Sequence, residues 1–102
     1  MHSSFLKWVN ERKRQLEDSI ISTEKINVVA NNTNPSVTVD YSSYCCLGRV
    51  SVWQSGLMDA EILHFASENR LLFEHHQLVG SPDFDALLKQ FFKIMVTGKR
   101  IG

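Results

Sequence analysis

"CCLGRVSVWQSGLMDAEIL", residues 45–63, decides the fold. It runs from a cysteine pair through an alternating apolar segment to Trp53, breaks at Ser55-Gly56, and resumes as a second alternating segment carrying Asp59 and Glu61. Successive side chains on a strand point to opposite faces. Val50, Val52 and Gln54 therefore share one face, and Arg49, Ser51 and Trp53 the other. Beyond the break, Met58, Ala60, Ile62 and His64 lie together, with Asp59, Glu61, Leu63 and Phe65 opposite them. Val50 and Val52 reach the same core as Ala60 and Ile62 only across a connection of odd length, because a two-residue Ser-Gly turn would mix apolar and charged residues on each face. The stretch thus predicts a hairpin with a three- or five-residue loop centred on Gly56. Trp53 is then expected opposite Asp59, Ser51 opposite Glu61, and Arg49 diagonal to Glu61.

Upstream, "INVVA" (26–30) and "SVTVDYS" (36–42) read as two strands separated by the Asn-rich turn that ends in Pro35. Strands over about 44–54, 58–66 and 70–79 follow, divided by "SG" and "SEN". Five strands with short connections form an antiparallel meander, since parallel pairs need long crossovers. Phe5, Trp8, Val9 and Leu16 recur at helical spacing, so residues 3–18 are expected to form an amphipathic helix capped by Ser3 or Ser4. "SPDFDALLKQFFKIM" opens a second helix, with Ser81 as the expected N-cap and Pro82 in the first turn; its apolar stripe is Phe84, Leu87, Leu88, Phe91 and Met95. The expected architecture is α+β: a five-stranded antiparallel meander sheet flanked by an N-terminal and a C-terminal helix, one domain over 1–102 with a frayed basic tail at 97–102.

Eleven basic residues balance eleven acidic ones among 102. This removes any bulk electrostatic case for direct nucleic-acid or membrane binding. No apolar run approaches a membrane span, and the N-terminus lacks the apolar region of a signal peptide, so the expected location is the cytoplasm. Cys45 and Cys46 are the only cysteines; as strand neighbours they should point apart and remain reduced thiols.

Asp59 and Glu61 invite three readings: an acid/base pair, a recognition surface, or ordinary solvated strand charges. Catalysis would need a pocket and perturbed titration, which nothing in the pattern signals. His75 and His76 point apart and no further close ligand pair completes a metal site, so neither metal nor cofactor is expected. On the second face, Leu63, Phe65 and Leu72 are expected to lie with Glu74 and His76, with a helix over the apolar end. The end bearing Trp53, Asp59 and Glu61 would stay exposed and suit a protein partner.

The layout of Phe5, Trp8, Val9, Glu11, Arg12, Leu16 and Glu17, followed by "LGRVSVWQSGLMDAEIL" and a helix with "F..LL..FF", resembles the TriTu immunity proteins over residues 4–96. The resemblance implies a non-enzymatic protein that binds and neutralises a tRNA-cleaving, CdiA-type toxin domain of a contact-dependent growth inhibition system. It also brings in the elongation factor EF-Tu, with which such toxins act. No family binding residue carries over; the hairpin argument alone nominates Trp53, Asp59, Glu61 and Glu74 for toxin binding. The competing readings are an adaptor or subunit of a larger assembly, and a small hydrolase using His64 and Glu61.

Overall fold

The computed structural model describes residues 1–100. Its elements follow in the order α1 (His2–Gln15), β1 (Ser22–Val29), β2 (Ser36–Ser42), β3 (Cys46–Trp53), β4 (Leu57–His64), β5 (Arg70–Gln77), α2 (Phe84–Leu87) and α3 (Lys89–Thr97). The strands form one antiparallel sheet in sequence order, β1-β2-β3-β4-β5, the meander expected from the short connections. Thr97 closes α3 and Gly98 caps it in the left-handed region at φ 67°. Within the basic tail, Arg100 donates to the Arg70 carbonyl at 2.6 Å, while residues 101–102 lie outside those described.

One face of the sheet is buried beneath the helices. Val37, Val39 and Tyr41 of β2, Val50 and Val52 of β3, and Met58, Ala60 and Ile62 of β4 are essentially inaccessible and join Phe5, Val9, Phe91, Ile94 and Met95 in one core. Helix α1 packs on β2 and β3, and α3 on β3 and β4. Tyr41 meets Phe91 and Phe92 edge-on, with centroids 5.8 and 5.3 Å away, and Trp8 stacks among Phe5, Phe84 and Phe92. Gly48 lets α3 approach: a Cβ there would lie 2.6 Å from Phe91 Cζ and 2.8 Å from Met95 Sδ. Gly48→Ala is therefore expected to cost about 1–3 kcal/mol through overpacking, read as a lower urea midpoint at unchanged slope.

Tyr41 carries its hydroxyl into this core without a hydrogen-bond partner. Burial raises its pKa well above the ordinary phenol range, and Arg12 offsets this only in part. A group whose folded pKa lies above its unfolded one stabilises the fold below the unfolded pKa, and that contribution is lost as pH rises beyond it. Wild-type stability should thus fall above about pH 10, where an unfolded tyrosine ionises. Tyr41→Phe should remove this share of the alkaline loss and raise neutral-pH stability by about 1 kcal/mol, since an unpaired buried hydroxyl is replaced by nothing that needs pairing. Urea titrations at pH 7 and pH 10.5 measure both effects.

Several boundaries differ from expectation for local reasons. Helix α1 starts at His2 with Met1 rather than a serine in the N-cap position, and Ser4 Oγ donates back to the Met1 carbonyl at 2.8 Å. The second helical segment is capped by Asp83, not Ser81: its carboxylate accepts the Ala86 amide at 3.1 Å. The segment also breaks at Leu88, whose φ of −104° and ψ of 10° separate α2 from α3. The cysteines do not diverge. Cys45 precedes β3 in a turn held by the Ser43 hydroxyl, which accepts the Cys46 amide at 3.1 Å, and the two sulfurs lie 3.3 Å apart as free thiols. Burial, then the neighbouring Cys45, pushes the Cys46 thiol up to about 12.

Candidate functional site

The β3–β4 connection is the three-residue loop Gln54–Gly56, odd as parity requires. The Gly56 amide donates to the Trp53 carbonyl at 3.0 Å and Gly56 takes φ 94°, so a turn over Gln54 and Ser55 ends on glycine in the conformation that closes a three-residue hairpin. The loop centres on Ser55, one residue before the expected Gly56. The ladder accordingly slides by two: Arg49 faces Glu61 directly, and Ser51 rather than Trp53 faces Asp59. A slide of two leaves every side chain on its expected face.

The face turned away from the helices carries Trp53, Asp59 and Glu61 together. It also carries Asp40 and Ser42 from β2, Arg49 and Leu47 from β3, Leu63 from β4, and Phe73 and His75 from β5. No helix covers the apolar end of this face, contrary to the sequence reading: Leu47, Leu57, Leu63 and Phe73 are 40–48% exposed. Glu74 is not among these residues. It pairs with Ala60, as Leu72 does with Ile62 and His76 with Met58, so all three sit on the helical side; there His76 Nε2 bonds Glu74 Oε2 at 3.0 Å. The cause is a bulge. Leu63 pairs with Arg70 but Ile62 with Leu72, so the extra Leu71 reverses the parity of the rest of β5.

Charges on the open face are paired across strands. Arg49 grips Asp40 bidentately, Nε to Oδ1 at 2.6 Å and Nη2 to Oδ2 at 3.2 Å, which raises the arginine pKa further. His75 Nδ1 bonds Asp59 Oδ1, and Arg70 reaches Glu61 at 3.8 Å while lying over the Phe73 ring. Thr38 and Ser51 share a 2.8 Å hydroxyl contact between the strands. At the Leu47–Leu63 end the face dips into a cavity of about 370 Å³ lined by those leucines, Gly48, Arg49 and the carboxylates of Glu24, Asp40 and Glu61. Parity applied to the β2–β3 hairpin would have exposed the Asp40–Arg49 pair. Glu24 enters through a bulge between Thr23 and Lys25, which strand periodicity does not reveal.

Catalytic convergence is absent from the hydrolase pair. His64 follows the core-facing parity of β4 and engages Ser67 Oγ through Nδ1 at 2.9 Å, whereas Glu61 projects from the opposite face. Among the described residues no group of three or more His, Cys, Asp or Glu side chains is placed to hold a metal ion. No helix among them is long and apolar enough to cross a membrane. What the geometry offers is a broad, corrugated, mixed apolar and charged surface, suited to binding a macromolecule rather than enclosing a substrate. In comparisons with known proteins, the family described as "Immunity protein TriTu" matches residues 3–94. No curated protein matches the chain.

Proposed function

The chain belongs to the TriTu immunity protein family, a family of non-enzymatic proteins that neutralise a cognate toxin, and on that premise we propose that its target is a contact-dependent growth inhibition tRNase of the CdiA type. The protein acts by stoichiometric occlusion in the cytoplasm. It lays the open face of its sheet on the toxin domain, without contacting nucleic acid or membrane itself. EF-Tu enters such a complex through the toxin.

The observation that carries this reading is the uncovered face on which Trp53, Asp59 and Glu61 stand beside exposed leucines and Phe73. Five strands about 4.8 Å apart and about 25 Å long present roughly 600 Å² before side-chain relief, close to the ~800 Å² each partner contributes to a standard interface. Acidic side chains on that surface complement the basic groove an RNA-cleaving domain needs for its substrate. Trp53 supplies an aromatic anchor among them.

Co-purification with the cognate toxin domain, followed by titration of tRNA cleavage, tests the proposal. Cleavage should stop at one equivalent of the protein. Continued cleavage at saturating protein, or inhibition that leaves the toxin altered after separation, would contradict occlusion.

A further inference from the structure

We propose that the depression at the Leu47–Leu63 end of the open face receives an arginine side chain of the toxin domain, an anchor that rests on the docking reading above. Leu47 and Leu63 face each other in the ladder and are 45% and 40% exposed, so they form apolar walls that the methylene stem of a long side chain can cover. Gly48 brings bare backbone to the floor, because its missing side chain belongs to the helical side. The cavity, about 370 Å³, has room for one such side chain.

The polar rim selects a cation. Asp40 is neutralised by Arg49 through two hydrogen bonds, whereas Glu61, directly across from Arg49, attracts it only through space and shares no hydrogen bond with it. Glu61 has Arg70 only at 3.8 Å, and that guanidinium lies 4.3 Å above the Phe73 ring. Glu24 accepts a hydrogen bond from Ser42 Oγ at 2.5 Å and forms no ion pair among the described residues. Hydroxyls of Ser42 and Ser22 hold its carboxyl below the ordinary value. Lys25, across from Asp40, does not line the cavity. Two carboxylates on different strands, β1 and β4, are thus under-compensated around one apolar slot. A planar guanidinium with donors along several edges can engage both, whereas an ammonium presents a compact point charge.

The double substitution Glu24→Gln with Glu61→Gln keeps side-chain size and acceptors while removing both charges. Titration calorimetry against the toxin domain should show Kd weakened about 10- to 100-fold, with Glu11→Gln on exposed α1 unchanged. One arginine-to-lysine substitution in the toxin should weaken binding to the wild-type chain and have no further effect on the double variant. A hydroxyl-radical footprint of the complex separates the two ways of failing. Unchanged affinity with Trp53 and Phe73 protected overturns the arginine anchor alone; Trp53 and Phe73 left reactive overturns the docking face, and the anchor with it.

Discussion

Phe91→Ala should cost about 3–5 kcal/mol of folding stability, a large share of the roughly 5–15 kcal/mol that keeps a domain of this size folded. Phe91 is 1% exposed and sits where the sheet and the C-terminal helix meet. Its ring packs edge-on against Tyr41 of β2 and Phe92 of α3, and it occupies the space that Gly48 of β3 leaves open. Truncation therefore removes the aromatic contacts and opens a cavity that neighbouring strands cannot fill, because their own side chains are held by the ladder. Equilibrium urea denaturation gives the value directly. A loss below about 1 kcal/mol, the range of exposed substitutions, would mean that α3 is not clamped to the sheet through this residue.

Reversing charge at both Asp59 and Glu61 to lysine should reduce toxin affinity by about 100-fold or more while leaving the chain folded. Both side chains stand on the open face, 44% and 36% exposed, and their partners are His75 and Arg70 at the exposed β5 edge. Surface ion pairs of this kind contribute at most about 1 kcal/mol, so circular dichroism and the urea midpoint should change little. Binding should change far more, because in the proposed docking mode reversal would replace two attractive contacts to a basic surface with two repulsive ones. Titration of the purified toxin domain measures the effect. Wild-type affinity in the folded double variant would take both carboxylates, and with Glu61 the arginine anchor, out of the interface.

Periodicity made much of this legible because the physics it encodes is local. The alternation of Val37, Val39 and Tyr41 placed β2 at Ser36–Ser42, and the stripe of Phe5, Val9 and Leu16 placed α1 against the sheet. The odd β3–β4 loop followed from requiring one apolar face, and so did the grouping of Trp53, Asp59 and Glu61. Parity cannot distinguish registers that differ by two residues, which is why Ser51 rather than Trp53 faces Asp59. Nor can it anticipate a bulge. Leu71 turns Glu74 toward the helices, and the bulge at Glu24 brings an acidic side chain to a cavity whose walls come from other strands. The apolar stripe likewise says nothing of the Asp83 cap or the break at Leu88, nor of the long-range bond by which Trp8 Nε1 donates to Asp85 at 3.1 Å and ties α2 to α1.

Hydroxyl-radical footprinting of the protein with and without its toxin domain tests the central claim, that neutralisation uses the open face of the sheet. Trp53, Phe73, Leu47 and Leu63 should lose reactivity in the complex while Trp8 and Leu87, on the helical side, keep theirs. Protection of Trp8 and Leu87 with Trp53 and Phe73 unchanged would place the toxin on the helices and contradict the account.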